Sequence, residues 1–380
     1  MKLATIHGQP SWHVASDKVD AAVTHQGGHL APVRFRLPHG VVQPYSIAPW
    51  AEEKSANKLI PLLQSLRGDF FCAPFGGSES LYRGERHPPH GEVASSPWKF
   101  ESFDKTKAET TLRLSLNVKV RRGHVEKMLR LRRGDTALYC RHTVSGMAGR
   151  MCFGHHATLK FPEEPGSGLI STSPMSFGQV LPVPFEKPAE GGYNSLRMGA
   201  EFSRLDQVPA ADGTVADLSR YPARRGFEDL AMIAHQAAPD FAWTAVTFPA
   251  QRYVWFALKD PRILRSTVFW ISNGGRHYAP WSGRHVGVMG IEDVTAYFHL
   301  GLAESARPNP VNKRGIATYL DLKAKAPLTV NYIMGVAAIP KNWGCVKSIT
   351  RESGGIFLES TQGRPIHASI DTDFLYTKNS

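Results

Sequence analysis

The clearest regularity along the chain has a period of two. In residues 111–120 (TTLRLSLNVKV without its first Thr), Leu112, Leu114, Leu116, Val118 and Val120 alternate with Arg113, Ser115, Asn117 and Lys119. Successive side chains of extended backbone point to opposite sides, so this run predicts a strand with one wetted face. RRGH then turns the chain, VEKMLRLRR runs on, GD turns it again and TALYCRHTV returns. The sequence here predicts an antiparallel meander.

Similar short runs recur as VRFRL, FAWTAVTF, YVWFAL, STVFWIS, LTVNYIMGV and GIFLES, separated by loops rich in Gly, Pro, Asn and Asp such as PEEPGSG and SNGGRHYAPWSGRH. Helical stretches are few: AEEKSANKLIPLLQSL and VTAYFHLGLAESA are the candidates, and Pro61 interrupts the first. No repeat, low-complexity tail or linker divides the 380 residues. The pattern predicts an all-β protein with few helices, folded as a single domain over residues 1–380. Long loops between short strands bring distant residues to one cleft, and the His, Glu, Arg and Trp residues gather in those loops.

Composition narrows the classes. The formal charge of +12 could suit nucleic acid, but the basic residues are scattered and interleaved with acids and apolar side chains. They read as a solvated surface, and no nucleic-acid partner is expected. Cys72, Cys140, Cys152 and Cys345 lack CxxC spacing, which suits a reducing compartment. The N-terminal MKLATIHGQPSWHV has no secretory apolar core, and no run of about 18 apolar residues occurs, so a cytoplasmic protein with no membrane span is expected.

Metal motifs fail on spacing. His25 and His29 in THQGGHL are separated by two glycines, HPPH and GHH match no common zinc pattern, and HExxH is missing. No GxSxG, GxGxxG or GxxxxGK followed by Ser or Thr occurs either. No metal and no cofactor are expected. Acid–base work by His, Glu and Asp is the chemistry that remains.

Four segments carry that chemistry: SLRGDFFCAPFGG, HPPHGEVASSPW, GHHATLKFP and GVMGIEDV. In this order they resemble the galactose mutarotase-like superfamily, the aldose 1-epimerases and especially the glucose-6-phosphate 1-epimerase branch. The first is similar to that branch's Arg-Gly-Gly segment ending in Phe-Gly. The second is similar to its His-Gly-Phe-Ala-Arg segment, which also ends in Pro-Trp. The resemblance implies a β-supersandwich of two large packed antiparallel sheets with a sugar in a cleft. It also implies interconversion of the anomers of a sugar: a base takes the anomeric hydroxyl proton, an acid protonates the ring oxygen, and the ring opens and recloses. A small-molecule carbohydrate is the partner so implied.

Residue by residue, the resemblance puts Glu292 as base, His156 as acid with His155 as the other candidate, and His90 as the first histidine. It assigns substrate binding to Arg67 and to Asp229 of RGFEDL, and Trp98 or Trp281 could stack on the sugar. Where the phosphosugar branch has Arg after His-Gly-Phe-Ala, this chain has Ala94, and Glu92 adds a negative charge, which counts against a phosphorylated sugar. A carbohydrate-binding protein without turnover on the same scaffold is the alternative.

The residues also allow simpler roles. His90 between Pro89 and Gly91 could cap a stiff turn, and Arg67 could pair with Asp69. Glu292 and Asp293 could be solvated acids at a helix start, although the apolar VGVMGI before them favours a buried strand. On a strand His155 and His156 point to opposite sides, so one of them at most faces a cleft.

Overall fold

The structure is a computed structural model and describes residues 1–77, 79–237 and 240–377. The meander forms as the alternation requires: Glu109–Val118, Gly123–Arg132 and Ala137–Ser145 pair antiparallel in sequence order. Leu112 lies opposite Leu129, which lies opposite Cys140, and all three are buried while Arg113 on the other face is exposed.

These strands belong to a nine-stranded sheet in which Leu328–Ala338 is central, between Ala137–Ser145 and Tyr253–Lys259, with Ala242–Phe248 next beyond the latter. A seven-stranded sheet runs in the order Glu201–Phe202, Met175–Val180, Phe227–His235, Ser266–Asn273, Val288–Thr295, Phe153–Lys160, Phe71–Cys72. The two sheets pack face to face. Side chains cross between them: His155 stacks on Tyr332 at 4.2 Å, Phe161 meets Phe248 at 5.2 Å, and the Tyr221 hydroxyl donates to the carbonyls of Ser272 and Val288. These two packed antiparallel sheets form the all-β supersandwich that the sequence resemblance implies. A three-stranded C-terminal sheet, Val346–Glu352, Gly355–Ser360 and Ile366–Ala368, contributes to a second apolar cluster with Trp243, Phe256 and Ile333 of the nine-stranded sheet.

The inter-sheet core is not wholly apolar. Asp293 accepts from the Tyr332 hydroxyl at 2.7 Å and from the Thr267 hydroxyl at 2.6 Å, and pairs with Lys259, all with no solvent exposure of the charged groups. Buried charges persist only when paired and hydrogen-bonded in this way.

The helix expectations need correction. In 51–66 the helix is broken in two: Lys54–Lys58 is 3-10, Leu59 and Ile60 are extended, and Pro61–Ser65 is an α-helical turn with the proline at its first position, where its missing N–H costs nothing. In 294–306 only Gly301–Ala306 is helical. Val294 and Thr295 complete the strand Val288–Thr295, and Phe298 and Gly301 have φ of 48° and 83°, which interrupts a helix. A Cβ on Gly301 would lie 2.2 Å from the Gly77 carbonyl oxygen, so that close approach requires glycine.

Candidate active site

The strand Phe153–Lys160 lies between Val288–Thr295 and Phe71–Cys72, and its register sets His156 directly opposite Glu292 and His155 directly opposite Asp293. The pleat then sorts the two pairs to opposite faces. His155 and Asp293 point between the sheets. His156 and Glu292 point away from the nine-stranded sheet, together with Leu230 and Trp270 of neighbouring strands. Loops close over this face and leave a cavity of about 130 Å³ lined by these four and by Leu62, Leu63, Leu66, Phe70, His90, Phe185, Arg276, Trp281 and His299.

At its floor, Nε2 of His156 is 3.1 Å from Oε1 of Glu292. Nδ1 of His156 is 3.2 Å from the Thr158 hydroxyl, and its ring stacks on Phe70 at 4.4 Å. Burial holds the Glu292 carboxyl well above the usual carboxylate range. Burial, aided by nearby His90, holds the His156 imidazole well below its usual value. Both shifts favour the uncharged pair. A carboxylic acid beside a neutral imidazole holds the same number of protons as a carboxylate beside an imidazolium. One proton shift along the 3.1 Å contact interconverts the two forms.

His90 sits 5.0 Å from His156, ring centre to ring centre, in T-shaped contact. The Gly91 amide donates to the Pro88 carbonyl at 2.9 Å and His90 has φ of 59°, so residues 88–91 form a tight turn with His90 at the position that favours glycine. Such a strained conformation in a non-glycine residue costs about 1–3 kcal/mol and tends to mark a site. The next residue must be glycine: at φ of 80°, a Cβ on Gly91 would stand 2.2 Å from the Ala73 carbonyl oxygen. Nδ1 of His90 accepts from the Gly76 amide at 3.4 Å and lies 3.4 Å from the Cys72 sulfur. Because an amide only donates, the ring proton is on Nε2. Burial lowers this imidazole to about 4, so it stays neutral.

Trp281 also reaches the cavity. The other sequence candidates are spent elsewhere. Arg67 is buried, and its guanidinium donates to the carbonyls of Ser65, Ile6 and His7 at 3.3, 3.1 and 2.9 Å. It does not line the cavity, and Asp69 pairs with His155 instead, Oδ2 to Nδ1 at 2.9 Å. Asp229 accepts from the Ser195 and Leu196 amides and from the Ser195 hydroxyl, which fixes the 194–196 loop. Trp98 is buried, with its indole N–H donating to the Val93 carbonyl at 3.0 Å. The Glu92 carboxylate accepts from the Lys119 and Val120 amides, so it anchors a turn and adds no charge to the cavity. None of Arg67, His155, Asp229 and Trp98 lines the cavity: the first and the last two bond within the protein, and His155 faces between the sheets with Nδ1 on Asp69.

Motif reading passed over Arg276, Trp270, Phe70 and His299. Arg276 donates from Nε to Glu186 at 2.6 Å, lies 3.9 Å from Glu228, and sits 4.5 Å from the Trp281 ring centre. Burial would lower its affinity for a proton, but Glu228 and Glu186 more than offset this and raise it. Burial pushes Glu228 up to about 7, although Arg276 and the bonds from the Ser272 hydroxyl and Trp270 Nε1 pull it down. Burial lowers His299 to about 3.

No family model matches the chain, and no curated protein matches it in sequence. Solved structures do match it in fold. A galactose mutarotase-like protein from Clostridium acetobutylicum superposes with a TM-score of 0.60 at 11% identity, covering 89% of this chain and 98% of that one. A galactose mutarotase related enzyme from Lactobacillus acidophilus gives 0.54 at 13% identity, covering 87% and 98%. An aldose epimerase homologue from C. elegans gives 0.56 at 10% identity, covering 87% and 100%. The chain thus has the galactose mutarotase-like fold. No helix among the described residues is long and apolar enough to cross a membrane.

Proposed function

We propose that the protein is an aldose 1-epimerase-like enzyme that interconverts the anomers of a sugar. The observation that carries this reading is the Glu292–His156 pair, a proton acceptor and a proton donor 3.1 Å apart on the floor of one cavity. In the ionised form of the pair, Glu292 takes the proton from the anomeric hydroxyl and His156 gives one to the ring oxygen. The C1–ring oxygen bond breaks, the carbonyl end rotates, and the reverse transfers close the ring and restore the pair. Each positioned proton transfer is worth about 10²- to 10⁴-fold.

His90 donates Nε2–H to the ring oxygen or a neighbouring hydroxyl, and Trp281 offers an aromatic face to the sugar's C–H groups. The reaction needs no metal or nicotinamide. Four unpaired thiols fit the reducing cytoplasm as its place of work. The second reading, a sugar-binding protein without turnover, is favoured by one observation: neither Arg67 nor Asp229 reaches the cavity.

Anomer exchange measured by NMR on neutral, acidic and phosphorylated aldoses, with Glu292→Gln beside wild type, tests the proposal. Catalysed exchange that falls at least about 10²-fold in the variant supports it. Binding without exchange selects the second reading, and exchange undiminished in the variant removes the assigned role of Glu292.

A further inference from the structure

The cavity is divided by origin into two unlike walls. The sheet and its loops supply the titratable groups, His156, Glu292, His90, His299 and Arg276, and the indoles of Trp270 and Trp281. The opposite contribution comes from one turn of helix and its end, Pro61–Ser65 and Leu66, and it is entirely leucine: Leu62, Leu63 and Leu66. The turn is fixed in place. Pro61 starts it, the Trp50 indole N–H donates to the Leu63 carbonyl at 2.8 Å, and the Gln9 amide donates to the Gln64 carbonyl at 3.2 Å. The polar side chains next to these leucines are engaged elsewhere: Gln64 turns back to the Leu59 carbonyl at 2.6 Å, the Ser65 hydroxyl donates to Gln9 Oε1 at 3.4 Å, and Arg67 donates to the Ile6 and His7 carbonyls. The leucine wall therefore offers no partner to a hydroxyl, and its own carbonyl at Leu63 is already taken.

Charge narrows the ligand further. Arg276 is the one cation among the lining residues, and it faces two carboxyl groups, Glu186 at 2.6 Å and Glu228 at 3.9 Å. A ligand carboxylate or phosphate would have to displace Glu186 or share the guanidinium with both acids. The three lining histidines add no positive charge, since burial keeps all of them neutral at neutral pH.

From these features, and resting on the aldose reading above, we infer that the substrate is a neutral deoxyhexose whose hydroxyl-free edge packs on Leu62, Leu63 and Leu66. A hydroxyl set against that wall loses its water and gains no hydrogen bond, whereas a methyl or methylene there is removed from water at no such cost. An apolar surface rejects an added hydroxyl by at most about 10²-fold, so the selectivity expected is ten- to hundredfold.

The test is anomer exchange by NMR on glucose, galactose and their 2-, 3-, 4- and 6-deoxy analogues, with glucuronate and glucose 6-phosphate alongside. At least one deoxy sugar is expected to exceed its parent in kcat/KM by about ten- to hundredfold, and both anions to fall below glucose. Catalysed exchange in which the parent hexose or an anion is best overturns the inference and leaves the enzyme reading standing. If no sugar exchanges, the enzyme reading fails, and calorimetry on the same panel decides the inference: tighter binding of a deoxy sugar upholds it, while tighter binding of the parents, or none at all, ends it. Leu63→Gln is expected to shrink the deoxy-to-parent ratio to near unity, an internal ratio that partial unfolding does not alter. An undiminished ratio would also overturn the inference.

Discussion

The sulfur of Cys72 and Nδ1 of His90 are 3.4 Å apart, and the Gly76 amide reaches the same nitrogen at the same distance. Strand end and turn together fix which edge of the imidazole carries its proton. At pH 7 the imidazole nitrogen shifts of His90 are expected to show a bare Nδ1 and a protonated Nε2. A proton on Nδ1 would contradict the geometry. Cys72→Val should leave that tautomer, still held by Gly76, and lower anomer exchange by a factor of a few.

The strain at His90 is separable from its chemistry. Asparagine tolerates φ near 59° better than histidine does. His90→Asn is thus expected to match or exceed wild-type thermal stability while exchange drops at least about tenfold. The adjacent Gly91→Ala should behave oppositely and lose about 2–4 kcal/mol on unfolding, because both its φ and the Ala73 carbonyl oppose a side chain.

Acid should unfold this protein through its histidines. Burial lowers His29 and His285 to about 3, so the folded form keeps them neutral where the unfolded chain, near 6.5, takes up protons. Between about pH 3 and 6.5 the unfolded state binds more protons, and stability therefore rises with pH. Each of these two groups contributes up to about 1.4 kcal/mol per pH unit inside that window and nothing further above it. Melting temperatures from pH 4 to 7.5 should climb and then level near pH 7. A flat profile below pH 6 would contradict the assignment.

Arg67 offers a control for the site itself. Its three backbone contacts tie the Ile6–His7 corner to the start of the Arg67 segment. Lysine cannot reproduce that fork, so Arg67→Lys is expected to cost about 2–4 kcal/mol in urea unfolding. The KM for any sugar turned over should stay at the wild-type value. A selective rise in KM would return Arg67 to the binding surface.

Much of the architecture was legible because alternation is a local signal. The run TLRLSLNVKV carries it, and runs such as FAWTAVTF and STVFWIS were legible by another local signal, short β-branched and aromatic stretches between turns, and became strands buried on both faces. The doublet at 155–156 was readable for the same reason, since a strand must send its two histidines apart. Arg276 was not legible. Its place depends on an ion pair with Glu186, ninety residues away, and on the Gly274–Gly275 turn packing under Phe227, and neither leaves a periodic trace. His299 was hidden by the helix expected over 294–306, which ignored how tightly Gly301 and Gly77 meet. The resemblance placed Arg67 and Asp229 by motif position alone, and motif position says nothing of which partners a side chain has already found.

The pairing of 155 with 293 and 156 with 292 also bears on how such a protein can vary. Substitution around the cavity changes what is recognised, and the loops that roof it can grow by many residues. A single deletion within Phe153–Lys160, however, would exchange inside for outside, delivering the core-facing imidazole to the ligand and burying its neighbour between the sheets. The count of residues in two short strands is thus the least negotiable quantity in the molecule.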